Sequence, residues 1–252
     1  MTPEQQAAAH DTNFIEFFRV AAGVLPAATL AQYGSVPVVT TGVPAAFFNG
    51  GWVTEPAEAS DLVAAFEHLR RSGLPFVLHV RSDLPSREQM IGPFAIAADG
   101  ILPCFAIAPR PIPDAPAELR MRRVSIGEWE DFLATTAAGF GMPRPMVDAL
   151  YAPAVLDHPA VRAYVGYVDD RPVVVAVSFR TGSTIGVYNI GTVEDARGRG
   201  YGTGATWHLM RDADPDWEVA VLQASDMGRP VYERMGFQLV REFIEHVHRP
   251  AG

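Results

Sequence analysis

A run of glycines between residues 193 and 206 is the part of the sequence best suited to chemistry. In the stretch VEDARGRGYGTGAT, glycine stands at every second position from 198 to 204, and two arginines flank the first of them. Glycine permits positive φ angles and leaves backbone N–H groups open to a ligand, and the start of a helix adds positive partial charge. A helix-like segment follows the run. We therefore expect it to bind an anion, and phosphate is the natural ligand.

Two general phosphate-binding motifs can be compared with this run. A P-loop needs lysine and then serine or threonine after its last glycine, whereas Gly204 precedes Ala205 and Thr206, so this motif is excluded. A dinucleotide-binding fingerprint is formally met by Gly200, Gly202 and Ala205. In that fold, however, the first glycine directly follows a strand, while here EDARGR intervenes after a segment that resembles an antiparallel hairpin. The context is therefore against a dinucleotide fold.

The C-terminal half has the pattern of a mixed α/β sheet. Ser125 and Glu128 stand at capping-box spacing before a helical segment, and Asp169 and Asp170 join two alternating segments in a predicted hairpin. Gly236 follows a short helix as its C-cap, before a last strand that we expect to close the sheet of this half. The predicted strands are 119–124, 161–168, 172–179, 184–193, 217–224 and 237–248, and the predicted helices are 129–140, 143–151, 202–213 and 228–235.

A proline-rich segment, APRPIPDAPAEL at 108–119, indicates a linker and divides the chain into domains at 1–112 and 113–252. The N-terminal half also has a mixed α/β pattern, but it holds no glycine run like that at 198–204. Its predicted helices are 13–22 and 58–73, and its predicted strands are 35–41, 45–53, 75–81 and 101–108.

Together with its flanks, the glycine run resembles a known family motif. The segment RGRGYG fits the pattern Gln/Arg-x-x-Gly-x-Gly/Ala, follows a strand that ends at Val193, and precedes a helix, a strand and the segment VYERMGF. Residues 119–248 thereby resemble the GCN5-related N-acetyltransferase (GNAT) superfamily. The resemblance implies an α/β mixed-sheet fold of the acetyl-CoA N-acyltransferase type. The N-terminal half resembles a degenerate copy of the same fold, so two tandem domains are expected.

The resemblance implies that acetyl-CoA is the co-substrate and that no metal is required. In the family, a bulged strand pairs with pantetheine and the amides of the glycine loop hold the pyrophosphate. An arginine of the motif can contribute charge or brace the loop. Ser225 stands where many relatives have asparagine. The residues assigned to the cofactor in this way are Ile190, Gly191, Thr192, Val193, Arg197, Gly198, Arg199, Gly200, Tyr201, Gly202, Thr203, Gly204 and Ser225.

Tyr232, in VYERMGF, matches the tyrosine that in relatives lies near the departing thiolate, where a phenol can act as general acid. The general base stays open, because relatives use a carboxylate, a histidine or water. The candidates for the base are Glu194, Asp195, Asp157 and His158. The first two are better suited to cap or orient the loop, and the last two could reach the cleft. The residues proposed for the acceptor side are Phe140, Met142, Tyr188 and Asn189.

The function implied is an N-acetyltransferase that moves the acetyl group directly to an amine of a small molecule, amino acid or peptide. A non-catalytic acyl-CoA sensor is the alternative, and a dehydrogenase is a third possibility. Two further groups could have a functional role, although a place in the core or on a solvated strand also explains them. The pair His246 and His248 could bind a metal, and the cluster Phe47, Phe48, Asn49 and Trp52 could line an acceptor pocket.

Composition excludes several classes of protein. The net charge of −9 disfavours a nucleic-acid backbone as partner, because phosphate neutralisation needs clustered cations. No apolar stretch reaches the roughly 20 residues that cross a bilayer, and the sequence begins without a signal-peptide pattern, so we expect a cytoplasmic protein without membrane contact. The single cysteine, Cys104, cannot form an intrachain disulfide. We expect a monomer or a homodimer.

Overall fold

The structure is a computed structural model that describes residues 1–84, 94, 96–125, 127 and 129–250. The strands are β1 (Thr29–Tyr33), β2 (Val36–Thr40), β3 (Asn49–Val53), β4 (Phe76–Arg81), β5 (Ala98–Ile107), β6 (Arg120–Arg123), β7 (Val161–Val168), β8 (Arg171–Thr181), β9 (Thr184–Thr192), β10 (Val219–Gln223) and β11 (Gln238–His248). The helices are α1 (Pro3–Val24), α2 (Ala59–Arg71), α3 (Trp129–Phe140), α4 (Arg144–Leu150), α5 (Pro153–Leu156), α6 (Tyr201–Arg211) and α7 (Arg229–Met235), and short 3₁₀ turns lie at Ala46–Phe48 and Glu194–Ala196.

The chain divides into two compact units. The glycine-loop unit comprises Met1–Asn13 and Phe105–Gln238, and the companion unit comprises Phe14–Cys104 and Leu239–Gly252. These units differ from a division at 112/113. The N-terminal residues 1–13 belong to the unit formed mainly by the C-terminal half, and the C-terminal residues 239–252 belong to the unit formed mainly by the N-terminal half. The assignment of catalysis to residues 113–252 stays a prediction.

The glycine-loop unit is built on a mixed sheet with the strand order β5-β10-β9-β8-β7-β6. Strands β6 to β9 pair in antiparallel fashion, whereas β10 runs parallel to β9 after the crossover through α6. Asp169 and Asp170 both adopt left-handed φ angles, 49° and 61°, in the tight turn between β7 and β8, as the predicted hairpin requires.

Alternation along β9 and β10 separates the two faces of this sheet. Ile185 and Val187 of β9, with Ala220 and Leu222 of β10, lie in the buried cluster that also contains the apolar side of α6. Because successive side chains point to opposite faces, Tyr188 and Gln223 project to the other face. That face receives the first turns of α1.

The N-terminal end of α1 is tied into the glycine-loop unit by Asn13, which is fully buried. Its amide nitrogen donates to the carbonyl oxygen of Phe179 at 3.2 Å and to Oγ1 of Thr181 at 2.8 Å. Its amide oxygen accepts the hydroxyl proton of Tyr188 at 2.7 Å. A Cβ at Gly186 would overlap that oxygen, so glycine is required there for the close approach of α1 to β9.

The companion unit has the strand order β1-β2-β3-β4-β11-β5. Strands β3 and β4 are parallel and joined by α2, whose buried residues Leu62 and Leu69 pack in one cluster with Phe76 and Leu78 of β4. The last strand, β11, pairs antiparallel with β4 from Phe243↔Arg81 to His248↔Phe76. The prediction that this strand closes the sheet of the C-terminal half was therefore wrong.

Most other predicted elements agree with the structure to within a few residues. Helix α1 is longer than predicted and begins at Pro3, and the short elements β1 and α5 were missed. Glu128 of the expected capping box lies outside the described residues. None of the described helices is long and apolar enough to cross a membrane.

We predict that Asn13→Ala lowers the free energy of unfolding by about 2–3 kcal/mol, because it removes the buried hydrogen bonds that join Asn13 to the Tyr188 hydroxyl and to the Phe179 carbonyl. The neighbouring Thr12 is exposed, so Thr12→Ala should change the value by less than about 0.5 kcal/mol. Urea titration of both variants measures the difference. Equal stabilities would contradict this role of Asn13.

Candidate functional site

The candidate site lies where β9 and β10 diverge. Their parallel register runs from Thr184↔Val219 to Gly186↔Val221 and then ends. Both strands nevertheless continue, β9 as far as Thr192 and β10 as far as Gln223. A gap between the two strands therefore opens after Gly186.

A bulge in β9 lies at this divergence. Gly191 pairs with Val175 of β8, but Tyr188 pairs with Val177, so Asn189 and Ile190 together stand opposite a single residue. Asn189 has a φ of 51°, a left-handed conformation that asparagine tolerates. Its side-chain nitrogen donates to Oγ1 of Thr136 on α3 at 3.2 Å. The resemblance implied a bulge in this strand, and it lies just before Gly191.

Gly191 lies under the end of α3. A Cβ built on Gly191 would come within 2.5 Å of the Phe140 ring, and one built on Gly139 would come within 3.1 Å of the Gly191 backbone. Two glycines therefore allow α3 to approach β9. Phe140 is 47% exposed although it covers this part of the strand, so its outer face is open to a ligand.

The glycine loop joins β9 to α6 through two left-handed residues. Gly198 and Gly200 have φ angles of 76° and 81°, and Gly200 is the N-cap of α6. Because α6 begins at Tyr201, the amides of Tyr201, Gly202 and Thr203 have no acceptor within the helix. These amides lie at the positive end of the helix dipole, and they suit an anion.

Gly204 does not belong to this anion-binding surface, in contrast to its assignment from the motif. Its N–H donates to the carbonyl oxygen of Gly200 at 2.8 Å, and a Cβ there would meet Leu119 and Pro116 at 2.9 and 3.0 Å. The side chain of Tyr201 is also turned inward, and its hydroxyl donates to Glu118 at 3.1 Å. Gly204 therefore serves the packing of the proline-rich segment on α6.

The two arginines of the motif have different surroundings. Arg197 donates to the carbonyl oxygen of Thr192 at 3.2 Å and to that of Gly139 at 3.0 Å, so it braces the loop against the end of α3. Within the described chain, Arg199 makes no hydrogen bond or ion pair and lies exposed beside the loop. Asp195 pairs with Arg171 at 2.7 Å, and this arginine lowers the pKa of the carboxyl. Asp195 thereby links the turn before the loop to the start of β8.

Tyr232 lies on α7 and contacts α6 at Thr206. Burial raises the pKa of its hydroxyl to about 12, and a hydrogen bond with Thr206 opposes part of this rise. Thr206 in turn donates to the carbonyl oxygen of Gly202 in the first turn of α6 at 2.9 Å. Ser225 accepts a hydrogen bond from the Gly228 amide at 3.2 Å and so shapes the turn that leads into α7.

A pocket of about 370 Å³ lies beside the glycine loop, between α6, α7 and residues 110–113. Arg110 is one of two arginines in its lining, and it donates to the carbonyl oxygen of Met235 at 3.3 Å at the end of α7. Within the described residues Arg234, the other arginine, has no ion pair. The residues that line the pocket are Arg110, Pro111, Pro113, Thr203, Trp207, Val231, Arg234 and Met235.

The remaining candidates for the acceptor side and the base differ in their surroundings. Tyr188 is buried and bonded to Asn13. Met142 is half-buried in the turn after α3, where its amide donates to Ala137 at 3.0 Å. Asp157 is exposed at the end of α5, and His158 accepts the Ala160 amide proton at 3.2 Å.

The histidine pair and the aromatic cluster singled out in the sequence lie in the companion unit. His246 is buried and donates to the carbonyl oxygen of Ile96 at 3.3 Å, and His248 stacks on Phe76 with ring centroids 4.7 Å apart. Asn49 is held by backbone carbonyls, and Trp52 is buried and stacked on His79. Phe47 is 40% exposed and Phe48 packs edge-on against it. Among the residues described, no three metal-ligating side chains come together.

Three polar residues of this site were missed in the sequence. His10 is fully buried on α1, where its Nδ1 donates to Asp11 at 3.1 Å. Gln223, at the end of β10, donates from its amide nitrogen to Nε2 of His10 at 2.6 Å. The polar run HDTN stands between the segments AAA and FIEFF of α1, and this position was the available signal.

Comparisons with known proteins show what this chain is similar to in sequence and in fold. Residues 121–232 match the family model of the acetyltransferase (GNAT) domain. A GCN5-related N-acetyltransferase from Kribbella flavida has a TM-score of 0.72 at 17% identity, over 97% of this chain and 96% of that one. A tandem GNAT protein from the clavulanic acid biosynthesis pathway has a TM-score of 0.62 at 13% identity, over 96% and 95%.

A functionally unknown conserved protein from Staphylococcus epidermidis ATCC 12228 has a TM-score of 0.63 at 16% identity, over 81% of this chain and 85% of that one. No curated protein matches the sequence. At these identities the solved structures establish the fold alone, and they confirm the predicted GNAT-like α/β fold.

We predict that Arg197→Ala lowers the thermal midpoint by about 3–6 °C, because it frees two backbone carbonyls from their brace. Arg199→Ala removes an exposed charge without a bonded partner and should shift the midpoint by less than about 1 °C. Thermal unfolding followed by circular dichroism distinguishes the two variants. Similar midpoints would contradict the bracing role of Arg197.

Proposed function

Residues 121–232 belong to the GNAT family, as the resemblance predicted, and on this premise we propose that the protein transfers the acetyl group of acetyl-CoA directly to an amine nitrogen. The fold supports acyl transfer. The acetyl donor, and an acceptor that is a small-molecule amine, an amino acid or a peptide, are our proposal.

The observation that carries the proposal is the divergence of β9 from β10 directly before a loop of free amides. Half of the backbone groups of a central strand point to each neighbour, and those of β9 beyond Gly186 face a gap where β10 no longer pairs. An extended pantetheine chain, with its two amides, can bind there as an added strand. Residues 190–193 supply the backbone groups for this pairing.

The pyrophosphate of the donor would then lie at the end of the same strand. The amides of Tyr201, Gly202 and Thr203 lie there at the N-terminus of α6, which favours negative charge. Arg199 adds an exposed positive charge, while Arg197 holds the loop in place. The pocket lined by Arg110 and Arg234 lies next to Thr203 and suits the phosphorylated nucleotide end of the donor.

The chemistry needs a proton acceptor for the amine and a proton donor for the thiolate. A neutral amine attacks the thioester carbonyl, the C–N bond forms, and the C–S bond breaks as the tetrahedral intermediate collapses. The nitrogen gives one proton to water, and Tyr232 gives one to the coenzyme A sulfur and regains it from solvent. The raised pKa of Tyr232 keeps this phenol protonated until the thiolate forms.

Release of coenzyme A thiol from acetyl-CoA, measured with a panel of amines, tests the proposal. We expect turnover with at least one amine and equimolar formation of N-acetyl product by mass spectrometry. Tight binding of acetyl-CoA by calorimetry without turnover on any amine would favour the acyl-CoA sensor instead. Binding of a nicotinamide cofactor and none of coenzyme A would overturn the proposal.

Tyr232→Phe should lower kcat by about 100-fold and leave the dissociation constant of acetyl-CoA unchanged, since only the proton donor is lost. Because burial raises the pKa of Tyr232 to about 12, the phenol keeps its proton throughout the range from pH 7 to 10. We therefore expect kcat/KM of the wild type to rise with pH as the amine deprotonates, without a fall below pH 10. A variant with wild-type kcat would remove Tyr232 from the mechanism.

We predict that Arg234→Ala raises the KM of acetyl-CoA by about 10-fold and leaves that of 3′-dephospho-acetyl-CoA unchanged, because the variant loses a charged contact to the 3′-phosphate. Arg229→Ala is the matched control, since this arginine of the same helix is paired with Glu233 at 2.9 Å and does not line the pocket. An equal loss for both donors would place the 3′-phosphate elsewhere.

A further inference from the structure

Three residues far apart in sequence form a hydrogen-bonded chain at the divergence of β9 and β10. Asp11 and His10 lie on α1, and Gln223 is the last residue of β10, two positions beyond the end of its register with β9. His10 and Asp11 are buried, whereas Gln223 is half-buried and so remains within reach of a ligand. The chain therefore runs from the interior to the mouth of the gap.

Asp11 sets the order of donors and acceptors along this hydrogen-bonded chain. The Asp11 carboxylate can only accept, so Nδ1 of His10 carries the proton in their 3.1 Å hydrogen bond. In the neutral ring, Nε2 is then an acceptor, and the contact of 2.6 Å with Gln223 requires a donor. The amide nitrogen of Gln223 must therefore face His10.

This orientation determines what Gln223 offers to a ligand. In a primary amide, oxygen and nitrogen lie on opposite sides of the carbonyl carbon, so Oε1 points away from His10. Within the described chain no donor is bonded to Oε1. The side chain projects from the face of β10 opposite to Leu222, which lies in the cluster with α6 and α7. Gln223 therefore presents a hydrogen-bond acceptor on the face opposite to Tyr232.

We propose that Gln223 binds the attacking amine through Oε1 and thereby favours a primary over a secondary amine, and that His10 and Asp11 are positioning residues that hold it in this orientation. The inference rests on the proposed acetyl transfer. As the C–N bond forms, the nitrogen becomes positive, and its hydrogen bond to Oε1 becomes charge-assisted and stronger. Gln223 is not a base, so the departing proton goes to water.

The preference for a primary amine follows from the number of N–H groups. A neutral primary amine has two, so one can stay bonded to Oε1 while the nitrogen loses the other proton to water. A neutral secondary amine has only one. After attack, the nitrogen must lose this same proton, so the hydrogen bond to Oε1 is lost, and the extra substituent crowds the nitrogen. The site therefore discriminates by hydrogen bonding as well as by shape.

The first test compares the wild type with Gln223→Met, which has similar volume and no acceptor at Oε1. We expect kcat/KM for a primary amine to fall by about 10- to 100-fold, mainly in kcat, while the ratio of primary amine to its N-methyl derivative falls by at least about 5-fold. Acetyl-CoA affinity by calorimetry should be unchanged. An equal loss with both amines, or activity within about 2-fold of the wild type, would overturn the inference.

Variants at Asp11 test the positioning chain. Asp11→Asn keeps an oxygen that can accept from Nδ1 of His10, so we expect it to retain most of the amine preference, whereas Asp11→Leu should lose the preference as Gln223→Met does. Thermal midpoints separate this effect from unfolding, because a loss of stability alone lowers the rate with both amines. Equal preference in the two Asp11 variants would contradict the positioning role.

A measurement without turnover keeps the inference separate from the proposed function. Nitrogen-15 spectra of the His10 ring should show the Nδ1–H tautomer at neutral pH, with an Nε2 resonance that moves in Gln223→Met. An Nε2–H tautomer would overturn the orientation of Gln223 even if acetyl transfer occurs. Absence of thiol release by the wild type with every amine would instead refute the proposed function.

Discussion

The separation of β9 from β10 is the constraint on which the candidate site depends. Adjacent parallel strands normally continue to pair, because each unpaired backbone group that is removed from water costs free energy. Here three features act against further pairing. The bulge at Asn189 and Ile190 turns β9 away, the hydrogen bond from Asn189 to Thr136 holds the bulge, and α1 places Asn13 and His10 at the point of separation.

The companion unit shows what the same arrangement gives without these features. Its parallel pair, β3 and β4, stays in register from Gly50↔Val77 to Val53↔Val80, the last residue of β3. No stretch of β3 extends beyond this pairing, and the segment after it holds no glycine loop. The interpretation of this half as a degenerate copy thereby gains a physical basis, since its described residues between β3 and α2 have neither a strand that continues past its parallel partner nor a glycine loop like that at 198–204.

The sequence predicted the features that are local. The glycine loop, the hairpin at Asp169 and Asp170 and the helix that ends at Gly236 each depend on residues a few positions apart, and each agrees with the structure. The edge that β11 joins could not be predicted, because the alternation of a strand defines its faces and not its neighbours. The contact of His10 with Gln223 joins residues 213 positions apart, and no local pattern in the sequence connects them.

The regular spacing of the glycines conceals a division of roles that only packing makes visible. Gly198 and Gly200 are needed for their left-handed backbone, which strains most residues that carry a β-carbon. Gly204, in contrast, has an ordinary helical backbone and is needed because Pro116 and Leu119 leave no room for a side chain. The proline-rich segment is therefore part of the site rather than a passive linker, since its packing on α6 fixes the helix whose N-terminus would face the donor phosphates.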